Sequence, residues 1–241
     1  MRVRSCAISD VGKKRQKNED SYLINDELSL FVVADGMGGH AGGEYASRIA
    51  ITTIEENFKQ FISAGSEPDK VLENSIKDAG TKIVKKADED RALKGMGTTV
   101  IALHLADKRA ILGHVGDSRA YLFRDGVLEQ VTEDHSLVNE QVKSGLISEE
   151  EAKTHQFKNI ITRSLGVTPE VDVDLISKKL KAGDTFLLCS DGLSNLVEMA
   201  EMEKELRERE TVLAAKAMVD LANKRGGDDN ITVIVVEIID P

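Results

Sequence analysis

Residues 33–43 read VADGMGGHAGG. The apolar run SLFVVA ends at Asp35, and five glycines follow within the eight residues 36–43. An acidic side chain at the mouth of so open a loop needs a partner. Gly36, Gly38 and Ala41 spell GxGxxA between a strand-like and a helix-like stretch, the setting of a dinucleotide-binding turn. Charge and position both weigh against that reading. Asp35 would stand beside a pyrophosphate, and the acidic pair that should end the next strand, Glu55 and Glu56, falls inside the helical pattern YASRIAITTIEENF.

The chain has 241 residues, 41% apolar and 31% charged, enough for one sizeable core. A formal net charge of -10 argues against nucleic acid or an anionic membrane as partner. MRVRSCAISD has no apolar leader pattern, so a cytoplasmic protein is expected, and a monomer. Cys6 and Cys189 lie far apart in strand-like runs and read as reduced core thiols.

Strand-like runs recur at RVRSCAIS, SYLI, LSLFVVA, TTVIALHLA, RAILGHVG, RAYLF, VDLI, DTFLLCS and NITVIVVEI. ADKR and RDG are hairpin turns, so the pairing is antiparallel. Helical periodicity covers 44–61, where Tyr45, Ile49, Ala50, Thr53, Ile54 and Phe58 share a face, then 69–87 and 211–224. SLVNEQVKSG and SEEEAKTH add shorter helices. Strand clusters between long helices predict an α+β layered domain, antiparallel sheets inside and helices outside. No linker or internal repeat interrupts it.

The aspartates fall at strand ends. Asp35 precedes Gly36, Asp117 lies in GHVGDSRA, Asp191 in LLCSDGL, and Asp228 and Asp229 in RGGDDNITVIVV, while Glu19 and Asp20 precede SYLI. A single Asp-Gly beside a strand is ordinary turn chemistry, as at RDG 124–126. Four such sites are different, because clustered carboxylates repel unless a cation intervenes. Oxygen ligands on rigid strand ends suit Mg²⁺ or Mn²⁺. His104 and His155 read as structural or exposed, His114 and His135 as hydrogen-bonding scaffold. His40, in the loop that Asp35 opens, is a candidate for proton transfer. KKRQK at 13–17 sets Arg15 beside Glu19 and Asp20, and metal plus arginine suggests phosphate.

RQKNED, VADGMGGHAGGE, GMGTT, HVGDSR, EDHS, SDGL and GGDDNITV, in this order and spacing from about residue 3 to 238, resemble the metal-dependent type 2C protein serine/threonine phosphatases in their compact bacterial form. The resemblance implies a single catalytic domain over 1–241, an αββα sandwich of two central antiparallel sheets flanked by helix pairs, and a binuclear Mn²⁺ or Mg²⁺ centre. Asp35 would bridge the ions and the Gly36 carbonyl bind one. Asp191 and Asp229 would complete the first site, and Asp20 or Glu19 would reach the second ion. Asp117 with Asp191 would hold a third, weaker ion. Arg15 would bind phosphate and His40 act as general acid, with a flap over about 144–168. A metal-bridging water would attack phosphoserine or phosphothreonine directly, opposing a serine/threonine kinase and acting on its substrates. A cysteine phosphatase is excluded, since Asn195 stands six after Cys189 where an arginine is required. A catalytically dead fold serving as a binding module is the rival, and the complete set of acidic positions argues against it.

Overall fold

The computed structural model describes residues 1–38 and 42–241, with Ser63 and Lys153 described in backbone only. Its strands are β1 (Arg2–Asp10), β2 (Ser21–Asn25), β3 (Leu30–Ala34), β4 (Gly36–Met37), β5 (Gly97–Thr98), β6 (Val100–Ala106), β7 (Arg109–Val115), β8 (Arg119–Arg124), β9 (Val127–Gln130), β10 (Asp174–Lys179), β11 (Thr185–Cys189) and β12 (Ile231–Asp240). Its helices are α1 (Gly42–Ser63), α2 (Pro68–Glu89), α3 (Leu137–Lys143), α4 (Glu149–Thr154), α5 (Asp191–Ser194), α6 (Met199–Glu208) and α7 (Thr211–Lys224).

Two five-stranded antiparallel sheets form, in the orders β1-β12-β11-β8-β9 and β10-β7-β6-β3-β2, beside the two-stranded β4-β5. Alternation along each strand explains the near-continuous apolar runs. In β3, Leu30, Val32 and Ala34 face α1 and α2, while Phe31 and Val33 face the other sheet. In β12, Ile231, Val233 and Val235 face α7, and Ile234, Val236 and Ile238 face the sheet opposite. Both faces of both sheets are therefore covered, which gives antiparallel strands a pattern more usual in buried parallel ones. The layers run helix, sheet, sheet, helix, as the sequence predicts.

Local chemistry sets the connections. Asp107 and Lys108 (φ 50° and 60°) turn β6 into β7, and Asp125 and Gly126 (φ 53° and 84°) turn β8 into β9, the positive-φ pairs of tight hairpins. Helix α1 buries Ala46, Ala50, Ile54 and Phe58 at i+4 spacing. Tyr45, predicted on that face, is 50% exposed, because one residue of offset turns it about 100° away. Helix α6 covers a segment the sequence reading leaves unassigned. It opens on a capping box between Glu198 and Glu201, and Arg207–Glu203 and Arg209–Glu205 pairs run along it.

Register collects the site. Ser21 pairs with Ala34, Val100 with Val115, Asp174 with His114, Arg119 with Cys189, and Asp10 with Ile231. The C-terminal ends of β1, β3, β7 and β11 and the N-terminal ends of β2, β6, β8, β10 and β12 thus lie at one end of the sandwich. Among the described residues no helix is long and apolar enough to cross a membrane.

Candidate metal centre

Five aspartates meet at that end. Burial is the main force on Asp35, whose carboxyl is held well above the usual range, with Asp20, Asp191, Asp117 and Asp229 each adding repulsion. Burial likewise pushes Asp20 to about 7, against hydrogen bonds from Thr232 and Ser190. Asp117 also rises to about 7, through burial and then the charges of Asp191 and Asp134. Asp191 is raised by burial and by Asp229.

The turns that carry Asp35 and Asp117 and the carboxylates of Asp20, Asp191 and Asp229 are held from behind. Thr99 Oγ1 accepts from the Asp35 N–H at 3.1 Å, and Thr98 Oγ1 and the Thr99 N–H donate to the Asp35 carbonyl at 2.8 and 2.9 Å. Thr99 Oγ1 also bonds Ser118 Oγ at 2.7 Å, tying the Asp35 turn to the Asp117 turn. Ser190 Oγ and Thr232 Oγ1 donate to Asp20 Oδ2 at 2.8 and 2.7 Å. Asn195 Nδ2 donates to Asp191 Oδ2 at 3.0 Å. Arg15 and the Asn230 N–H donate to the two oxygens of Asp229, at 2.7 and 2.8 Å. The sequence reading misses this hydroxyl frame, since Ser and Thr at strand starts look like ordinary caps.

Close backbone approach completes the geometry. A Cβ at Gly192 would fall 2.0 Å from the Asn230 carbonyl oxygen, so only glycine lets the SDG turn press against GGDDN. A Cβ at Gly43 would lie 2.8 Å from the Gly36 carbonyl oxygen and 2.9 Å from Glu19 Cδ, so those two groups are neighbours. Glu19 therefore faces the Gly36 turn, and Asp20 faces the SDG turn and β12. His40, with Gly39 and Ala41, lies outside the described residues.

Two buried oxygens, Asp20 Oδ1 and Asp191 Oδ1, have no hydrogen-bond partner among the described residues. Buried carboxylate oxygens without hydrogen-bond donors, amid like charges, fit a hard divalent cation with oxygen ligands. A carboxyl whose folded pKa lies above its unfolded value favours the fold while protonated, and that contribution is lost as pH climbs through about 7. The metal-free protein should therefore lose stability as pH rises from the ordinary carboxyl value of 3.8 to about 7. Saturating Mn²⁺ is expected to raise Tm by roughly 5–10 °C, and by more at pH 8 than at pH 6. Thermal scans at both pH values check this; an equal or absent shift would remove the cation from this cluster.

A second group has ligand atoms within 4.8 Å of one another: His114, His135 and Asp174. Its polar atoms are largely committed. The Gly116 N–H donates to His135 Nδ1 at 2.9 Å, which leaves the proton on Nε2 facing Asp174 Oδ2 at 3.1 Å, and Arg163 donates to Asp174 Oδ1 at 2.6 Å. His135 thus serves as hydrogen-bonding scaffold. The His114 ring stacks on His135 at 4.7 Å and 25°, and burial pushes its pKa down to about 3, against a backbone hydrogen bond at Ser118. With His135 and Asp174 so committed, the cluster acts as a brace. It joins the Asp117 turn to residues 160–163, where the Thr162 N–H donates to the His135 carbonyl.

The protein phosphatase 2C family model matches residues 12–224. A serine/threonine phosphatase of Listeria innocua, Stp, is 41% identical over 235 residues, covering 95% of this chain and 93% of the relative. The crystal structure of the Mycobacterium tuberculosis serine/threonine phosphatase PstP/Ppp superposes with a TM-score of 0.92 at 37% identity, covering 99% of each chain. A structure of the PstP catalytic domain in complex with 2 manganese ions superposes at 0.88 and 37% identity, again covering 99% of each chain.

Proposed function

Because the chain belongs to the protein phosphatase 2C family of metal-dependent serine/threonine phosphatases, we propose that it hydrolyses phosphoserine and phosphothreonine in proteins by direct in-line displacement, opposing a serine/threonine kinase. The reading rests on the buried carboxylates at one end of the sandwich and their two oxygens without donors. Two Mn²⁺ or Mg²⁺ ions there would lower the pKa of a water nucleophile and offset charge on the phosphoryl oxygens. Asp35 would face both ions and Asp191 and Asp229 the first. The Gly36 carbonyl would face the second, with Glu19 beside it and Asp20 offering its free Oδ1. Asp117 with Asp191 would form a third, weaker site.

The chain's own groups supply the rest. Arg15 is half-exposed and reaches over Asp229, and its remaining N–H donors, without a partner among the described residues, would meet phosphate oxygens. His40 would protonate the leaving alkoxide. Residues 144–168 carry none of the proposed ligands and would form a flap governing protein substrates. We further propose a single catalytic domain acting as a monomer in the cytoplasm.

With Mn²⁺ the protein should release phosphate from a phosphothreonine peptide and from p-nitrophenyl phosphate, and lose both activities on chelation. Turnover indifferent to chelator would overturn the assignment. Arg15→Ala should raise KM and weaken inhibition by phosphate while metal content stays normal, since no nearby lysine reproduces a bidentate guanidinium. Steady-state kinetics with phosphate as inhibitor check this. Asp117→Ala should keep two tightly bound ions yet raise the Mn²⁺ concentration needed for half-maximal rate; calorimetry that loses a tight site instead would move Asp117 into the binuclear core.

A further inference from the structure

The segment KKRQK concentrates four cations, Lys13, Lys14, Arg15 and Lys17, in five exposed residues of a chain whose formal net charge is -10. Such a run is normally a solvated loop free to wander. Here it is fixed to the carboxylate cluster. Asn230, next to Asp229, spans its base, with Nδ2 donating to the Val11 carbonyl at 3.0 Å and to the Lys17 carbonyl at 2.9 Å. Its Oδ1 accepts from the Glu19 N–H at 2.8 Å. The Lys13 and Lys14 N–H groups both donate to the Gly227 carbonyl, at 2.7 and 3.2 Å. A Cβ at Gly12 would fall 2.2 Å from the Asp229 carbonyl oxygen, so the loop presses directly on the GGDDN turn.

The charge of this loop is mostly unspent. Arg15 pairs with Asp229, whereas Lys13, Lys14 and Lys17 form no ion pair among the described residues. The neighbouring acids are already engaged or turned elsewhere. Asp10 accepts from the Gly12 N–H, and Asp228 lies over Gly226. Arg15 and Lys17 both lie close enough to favour the charged form of Glu19. A phosphorylated residue held by Arg15 would therefore carry its flanking residues past three ammonium groups.

We infer that Lys13, Lys14 and Lys17 determine specificity, favouring phosphopeptide segments in which acidic side chains or a second phosphate flank the phosphorylated serine or threonine. This rests on the phosphatase reading above. Exposed pairs are individually weak, so three together supply roughly tenfold in kcat/KM at low salt. The preference fades at about 1 M salt, where the Debye length is ~3 Å.

The test compares a phosphothreonine peptide with Asp and Glu flanks, the same peptide with Gln and Ala flanks, and p-nitrophenyl phosphate, using wild type and a Lys13→Glu/Lys14→Glu/Lys17→Glu variant loaded with Mn²⁺. Wild type should favour the acidic peptide on the order of tenfold, a second phosphate in place of the acidic flank should act alike, and the variant should lose the preference. Rates on the neutral peptide and on p-nitrophenyl phosphate should stay within about twofold. A wild type without preference, a preference that survives in the variant, or an equal loss on all three substrates would overturn the inference. A wild type that turns over p-nitrophenyl phosphate and both peptides alike sinks this inference alone; one that turns over none of them overturns the phosphatase reading as well.

Discussion

Asp191→Ala and Asp229→Ala are each expected to lower kcat by roughly 10³-fold or more, because each removes an oxygen that would hold the cations offsetting the developing charge, a contribution of several kcal/mol. The two sites differ in what the loss leaves behind. Asp191 sits among buried carboxyls with one oxygen lacking a donor, so its removal also relieves repulsion. Asp191→Asn should therefore be inactive yet show a higher metal-free Tm than wild type near pH 8. Asp229 holds Arg15 at 2.7 Å, so its removal frees that guanidinium as well as a proposed ligand. Assays on p-nitrophenyl phosphate at saturating Mn²⁺, paired with thermal scans without metal, check both. Wild-type rates in either variant would end the proposed ligation.

The architecture was legible because apolar runs, hairpin turns and helical periodicity all pointed to the same layers. The aspartates were legible because each stands at the end of a strand, where register leaves it little choice of neighbourhood. Their support was not. Thr99, Ser118, Ser190 and Thr232 reach the carboxylates or join their turns across sequence gaps of up to 212 residues, and nothing local marks a hydroxyl for such a partner. Asn230 was hidden for the same reason; three hydrogen bonds from one amide appear only once β1 and β12 are paired. Helix α6 is hard to read in the sequence because only Met202 is buried along it, so no apolar periodicity marks it.

His40→Ala carries the second large effect. Serine and threonine alkoxides are strongly basic leaving groups, so P–O cleavage needs a proton delivered in the transition state. p-Nitrophenolate leaves without that help. The variant should hydrolyse a phosphothreonine peptide on the order of 10²-fold to 10⁴-fold more slowly, the usual range for general acid catalysis, while p-nitrophenyl phosphate slows much less. Bound Mn²⁺ should match wild type. Were His40 only packing the loop after Asp35, both substrates would suffer alike and metal would be lost with them. Measuring kcat for the two substrates and the metal content of the same samples decides between these roles.

The pairing of β1 with β12 joins segments more than 200 residues apart, and the Arg15–Asp229 contact spans 214. On a ribosome, Arg15 is made more than 200 residues before its carboxylate partner Asp229. Until β12 arrives, β1 and β11 both present unpaired edges, a hazard for a nascent chain. Closing so long a loop is also slow compared with forming either helix pair. The growing polypeptide therefore cannot assemble this carboxylate cluster until β12 has been made, and the cluster forms as one late event.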